Sequence, residues 1–143
     1  MAVRHIPEGF HSLVPICVIK DAAKAIDFYK KVFSAEEKAR YGGPDGVVMH
    51  AELKLGDSVL MLGEAVGAPV ANLHACLYVT DCDAVFKKAV DAGATVKRPL
   101  TDQFYGDRSG TVTDPFGNEW TVSTHKEDVS EEEMQRRMKA QPH

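Results

Sequence analysis

Three side chains of the kinds that hold metals or move protons stand out in the chain. His50 and Glu52 lie two apart in the alternating run 47–55, and His74 opens another run, His74–Val79. Imidazole and carboxylate bind hard or borderline divalent cations with positions left open for substrate, and the same pair can work as acid and base. In an extended strand, residues two apart point the same way at about 7 Å, close enough for one cation. The plainer reading of the pair is a solvated polar face. A second set suits an organic ligand. Tyr78, Phe104 and Tyr105 offer rings for stacking, whereas Trp120 reads as core. Arg108, which ends Phe104-Tyr105-Gly106-Asp107-Arg108, offers a fork for an anionic group or, equally, an ion pair with Asp107, Asp102 or Glu119. Thr121 adds a hydroxyl in the run 119–124, and His125 follows it.

Other chemistries find no support. Cys17 and Cys76 read as small hydrophobes in strands, and Cys82, beside a helix start, has no triad partners. Gly42-Gly43-Pro44-Asp45-Gly46 reads as a hairpin turn rather than a phosphate loop, since its proline removes a donor.

The elements that must carry these residues form a repeat. Val14–Asp21 leads into Ala22–Phe33, and His74–Asp81 leads into Cys82–Gly93, at an offset of 60 residues. Each half opens with an apolar run that ends at an aspartate in N-cap position, Asp21 or Asp81. Apolar residues then recur at 22, 25, 26, 29, 32 and 33, and at 82, 85, 86, 89 and 90, along one face of a helix. Strand-like runs follow at 35–41, 47–55 and 58–63, and at 95–100, 108–114 and 119–124. The same offset relates Gly56-Asp57-Ser58 to Phe116-Gly117-Asn118, so two βαβββ modules with no net insertion are expected. Alternation places His50, Glu52 and Lys54 opposite Met49, Ala51, Leu53 and Leu55, and it places His74, Cys76 and Tyr78 together. Ser130-Glu131-Glu132-Glu133, with Arg136, Arg137 and Lys139 beyond, predicts a short C-terminal helix on a sheet edge or a partner subunit.

With 143 residues, 44% of them hydrophobic and 27% charged, the chain has the composition of a globular domain. A net charge of −4 argues against a dedicated nucleic-acid binder, and no apolar run approaches a membrane span. The first residues lack an apolar signal core, and three cysteines make no paired framework. Both points favour a reducing, cytoplasmic setting.

The paired modules, Ile26-Asp27-Phe28-Tyr29 on the first helix and Asp114-Pro115-Phe116-Gly117 before the last strand resemble the vicinal oxygen chelate superfamily. That superfamily includes glyoxalase I, bleomycin-resistance proteins, extradiol dioxygenases and fosfomycin-resistance enzymes. His50-Ala51-Glu52, Gly56-Asp57-Ser58, Met61-Leu62 and Phe116-Gly117-Asn118-Glu119-Trp120 look more narrowly like its PhnB-like branch. The resemblance implies an α+β fold in which tandem βαβββ modules form a cupped mixed sheet. On that reading residues 1–143 are one domain, with modules at 12–64 and 72–125 and a helix at 129–140. It also implies homodimers whose subunits complete each other's clefts.

Enzymatic members of the superfamily use a divalent metal as a Lewis acid that chelates neighbouring substrate oxygens. Their ligand positions, carried over along the motifs, fall on Val14, Met61, His74 and Thr121. Of these only His74 is a competent ligand. The expectation is therefore a small-molecule-binding protein without the usual metal ligands, sequestering an organic molecule as bleomycin-resistance proteins do. Its cleft would use His50, Glu52, His74, Tyr78, Phe104, Tyr105, Arg108 and Thr121. The alternative is a lyase, isomerase or dioxygenase with a divalent metal at a rearranged site on His74, His50 and Glu52.

Overall fold

The computed structural model describes residues 2–142. Along the chain run β1 (Ile16–Ile19), α1 (Ala22–Phe33), β2 (Glu36–Gly42), β3 (Val48–Leu55), β4 (Ser58–Glu64), β5 (His74–Tyr78), α2 (Cys82–Asp91), β6 (Thr95–Asp102), β7 (Asp107–Thr113), β8 (Glu119–His125) and α3 (Glu131–Lys139). The strands make two four-stranded sheets, ordered β1-β4-β3-β2 and β5-β8-β7-β6. In each the first strand runs parallel to the last, and the remaining pairs are antiparallel. The fold is thus the duplicated α+β arrangement read from the sequence.

The offset of 60 holds where the first and last strands meet, since Ile16 lies opposite Met61 and Cys76 opposite Thr121. In the other strands it slips by one residue. Glu52 faces Met61, whereas the residue facing Thr121 is Thr111. The residue lost ahead of β6 is regained in the turn before β8, where the three residues 115–117 take the place of Gly56-Asp57. Because strand faces alternate, this slip decides the match. Glu52 corresponds to the polar Thr111 rather than to the apolar Val112.

The chain divides into two compact units, one running through Leu73 and including Pro115–Asn118, the other comprising His74–Asp114 and the stretch from Glu119 onward. In the first unit Ala22, Ala25, Ile26, Tyr29, Val32 and Phe33 of α1 are buried, as are Ala51, Leu53 and Leu55 of β3. Met49 departs from that apolar face and is 53% exposed. Tyr41 pairs with His50 and Gly42 with Val48, so an irregularity at Met49 takes it out of the alternation. Asp21 does not act as the expected side-chain cap. Its backbone is left-handed, at φ 62, and the Glu64 carboxylate accepts from the Asp21 and Ala22 amides at 2.9 and 3.0 Å. Asp81 of the second unit caps as predicted, accepting from the Ala84 amide.

The 115–118 turn is held to the first unit by Asn118, which is fully buried. Its Oδ1 accepts from the Leu73 amide and from Asn72 Nδ2, both at 3.0 Å, and its Nδ2 donates to the Tyr29 hydroxyl at 2.9 Å. Phe116 packs edge-on against Phe28 and Tyr29.

In the second unit Val112, Trp120 and Val122 are buried, and the indole N–H of Trp120 donates to Asp114. Gly110 sits where an added Cβ would come within 2.7 Å of the Phe86 ring, so α2 approaches the sheet closely there. Ser130 caps α3 by accepting from the Glu133 amide, and Arg137 of α3 donates to the Phe104 carbonyl and pairs with Glu127.

Replacing Asn118 with alanine strands buried partners at about 1–3 kcal/mol each. We expect Asn118→Ala to lose roughly 2–4 kcal/mol in chemical denaturation, and Tyr29→Phe about 1 kcal/mol. Equal, small losses in both would contradict the role given to Asn118.

Candidate functional site

Strand pairing sets side chains of neighbouring strands side by side on one sheet face. In the first unit one such row is Ala39, Glu52, Met61 and Ile16. Its counterpart in the second unit is Arg98, Thr111, Thr121 and Cys76. A bulge at the same place in β2 and β6 produces both rows. Glu37 pairs with Leu53 and Ala39 with Glu52, while Val96 pairs with Val112 and Arg98 with Thr111. Without the bulge, Arg98 would share the face of Val96 and Val112. With it, Arg98 turns to the polar side.

On the first row His50 and Glu52 come together as predicted, His50 Nε2 lying 3.0 Å from Glu52 Oε2. The Tyr41 ring stacks over His50. An open pocket of about 460 Å³ lies over Glu52 and Met61, lined also by Phe10, Val14, His5 and His11 of the N-terminal stretch. His11 Nε2 meets the Asp57 carbonyl at 2.9 Å, which ties that stretch to the β3–β4 turn.

On the second row His74 Nε2 lies 3.0 Å from the Thr121 hydroxyl, which is 2.9 Å from the Thr111 hydroxyl. Arg98 Nη2 donates to Thr111 Oγ1 and to Ser109 Oγ, each at 3.4 Å. His74 Nδ1 stands 3.4 Å from Glu119, which also pairs with Lys97. The Lys97 ammonium holds the Glu119 carboxyl below its usual range, and His74 adds to the effect. A guanidinium only donates and a carboxylate only accepts. One polarity satisfies every member of this chain: Arg98 to Thr111, Thr111 to Thr121, Thr121 to His74 Nε2, and His74 Nδ1–H to Glu119. Cys76, read as a strand hydrophobe, is exposed instead, with Sγ 3.4 Å from the Ser123 hydroxyl.

Tyr78 lies on the same polar side and donates to Asp107 Oδ2 at 2.7 Å. That bond to a carboxylate pushes its phenol up to about 12. Asp107 is only 6% exposed and takes His125 Nδ1 on its other oxygen at 2.7 Å, while His125 Nε2 meets Asp128 at 2.7 Å. Phe104 and Tyr105 pack edge to face in the β6–β7 turn. Gly106 closes that turn at φ +102, where a Cβ would fall 2.3 Å from the Glu127 carbonyl.

Arg108 goes elsewhere. Its guanidinium grips Asp83 of α2 at 2.8 and 3.0 Å and reaches Asp102 at 3.3 Å, so its fork is engaged on the helix side of the sheet. Of the ion-pair partners expected for it, Asp102 is found and Asp107 is bonded to Tyr78 and His125 instead. The sequence gives no site role to Arg98, Ser109 or Thr111, and it offers Asp107 only as an ion-pair partner for Arg108. The serine and threonines alternate along β7 and were legible as a polar face. Arg98 was not, because the bulge breaks the alternation that would have placed it.

The superfamily's metal would need donors at Val14, Met61, His74 and Thr121. Val14 has no lone pair, Met61 and Thr121 are poor partners for a hard ion, and His74 already lies between Thr121 and Glu119. These residues do not fit the group. Among the described residues, no three His, Cys, Asp or Glu side chains cluster as a metal would require.

Tandem βαβββ modules, each closing its four-stranded mixed sheet with a parallel pairing of first and last strands, define a class of proteins by fold. A family model described as the Glyoxalase/Bleomycin resistance protein/Dioxygenase superfamily matches residues 10–122, and the chain belongs to that superfamily. It is 42% identical to the uncharacterized protein Mb0911c of Mycobacterium bovis, over 91% of this chain and 93% of the relative. TioX from Micromonospora sp. ML1 has the same fold, with a TM-score of 0.69 at 24% identity over 80% of this chain and 98% of that one. So does a Bacillus cereus PhnB protein titled a putative 3-demethylubiquinone-9 3-methyltransferase, with a TM-score of 0.62 at 21% identity over 80% and 99%.

Asp107 and Asp128 raise the His125 imidazole above its ordinary value, Asp107 most. A raised histidine contributes stability that is full below about pH 6.5, its unfolded value, and is lost as pH climbs through the folded value. The melting-temperature gap between the parent and His125→Gln should therefore be widest near pH 6 and close at higher pH. A gap that widens with pH would contradict the pairing.

Proposed function

We propose that this protein binds an organic small molecule without the divalent metal its enzymatic relatives use. One observation carries the reading: the four positions that would hold the metal are Val14, Met61, His74 and Thr121, and the single imidazole is hydrogen-bonded to Thr121. What stands there instead suits ligand capture. The first unit offers a pocket of mixed lining with Phe10, Val14 and Met61 beside Glu52, and the second offers a row of hydroxyls with Tyr78 nearby. On this reading the protein is cytoplasmic and works as a homodimer. Its three cysteines are free thiols, and among the described residues no helix is long and apolar enough to cross a membrane.

The test is metal content by mass spectrometry on untagged protein purified without chelator and then offered zinc, nickel, manganese or iron. We expect far less than one ion per chain. We also expect a melting temperature that no metal raises, in the parent and in His74→Ala alike. A ligand at 100 times its Kd adds about 2.7 kcal/mol, several degrees for a chain of this size. About one tightly held ion per chain, with a metal-dependent rise that His74→Ala abolishes, would overturn the proposal in favour of a metal enzyme built on His74, His50 and Glu52.

A further inference from the structure

Arginines in this chain are mostly committed. Arg40 pairs with Glu37, Arg108 with Asp83 and Asp102, Arg136 with Glu133, and Arg137 with Glu127 and Glu133. Arg98 differs. It is half-buried on the polar side of the second unit's sheet, and the only hydrogen bonds of its guanidinium among the described residues are the two long contacts from Nη2 to Ser109 and Thr111. Neither contact brings a counter-charge. A guanidinium has five N–H donors in a planar fork shaped for two oxygens of one anion. Withdrawing that charge from water without an opposite charge costs free energy, which a bound anion would recover.

The surroundings suit such an anion. The acids that share this face on β7 and β8 are already engaged: Glu119 with Lys97 and His74, and Asp107 with Tyr78 and His125. Ser109 and Thr111 are almost fully buried; the Ser109 hydroxyl can turn to donate to an oxyanion held by the fork, and the Thr111 hydroxyl does so by giving up its donation to Thr121, which then donates back to it. The first unit has Ala39 at the position equivalent to Arg98, so its row has no such cation.

From this juxtaposition we infer that Arg98, with the Ser109 and Thr111 hydroxyls, is an oxyanion subsite, and that the ligand of this protein carries a carboxylate or phosphate group. The inference rests on the small-molecule-binding reading and adds the ligand's chemical class. The anion displaces the long Nη2 contacts and takes both arms of the fork, and the body of the ligand extends along the row toward Thr121 and His74.

Nuclear magnetic resonance on the full chain tests this with three probes: benzoate, inorganic phosphate, and benzamide as the uncharged counterpart of benzoate. Benzoate or phosphate should move the Arg98 Nε–H resonance and the Thr111 and Thr121 amides, and whichever moves them at lower concentration identifies the oxyanion. A charge-assisted bond of the usual strength predicts that Arg98→Met weakens binding by about tenfold or more. Arg98→Lys keeps the charge and loses the fork, so it should fall between, and it serves if the methionine variant does not fold. Arg40→Gln should leave binding unchanged. Equal benzoate binding in the parent and both Arg98 variants overturns the subsite. Benzamide binding the row as tightly as benzoate overturns the anion and leaves small-molecule binding standing. If no probe moves any resonance of the row, the subsite falls; if a panel of neutral aromatic compounds also fails to bind anywhere on the chain, the binding reading falls with it.

Discussion

The bulge two residues into the second strand of each module fixes which side chains can meet. Before it the strand alternates with its partner in one phase; after it the phase is inverted, so Ala39 and Arg98 stand beside Glu52 and Thr111 rather than beside the core. The rows that result carry Glu52 in one module and Arg98, Thr111 and Thr121 in the other. The parallel pairing of first and last strands then extends each row to a fourth residue, Ile16 in one module and Cys76 in the other. A duplication that preserved these pairings preserved the frame while leaving the side chains free to diverge.

They have diverged in a definite direction. One row is apolar apart from Glu52, which is bonded to His50; the other is a line of hydroxyls with a guanidinium at its edge and an imidazole diagonal to it. A divalent-metal site wants several hard or borderline donors converging on one point. Hydroxyls chained to one another across strands give instead a polarised surface able to accept or donate at intervals, which matches an extended organic ligand better than an ion. The Tyr78, Asp107, His125 and Asp128 cluster fixes the end of that surface, and Arg137 of α3 holds the adjoining turn through the Phe104 carbonyl.

Much of this was legible in the sequence. The helix faces, the turns and the offset of 60 residues gave the duplicated α+β fold, and two-residue alternation rightly grouped His50 with Glu52, and His74 with Cys76 and Tyr78. What escaped were the departures from regular alternation. Met49 and Arg98 stand at or just after irregularities that invert a strand's phase, and nothing in residue type marks those places. Asp21 looks like Asp81, yet a left-handed backbone and the reach of Glu64 from a distant strand replace its cap. Arg108 was read as the anchor, although Arg98 carries the same guanidinium. The bulge that turns Arg98 to the polar face and the position of α2, which sets Asp83 against Arg108, tell them apart.

The most direct test is a crystallographic soak of small carboxylates and phosphates into crystals grown in metal-free buffer. The account predicts a ligand oxyanion within hydrogen-bond distance of the Arg98 guanidinium and the Thr111 hydroxyl, with no ion between ligand and protein. A ligand held through a metal bound to His74 would contradict it.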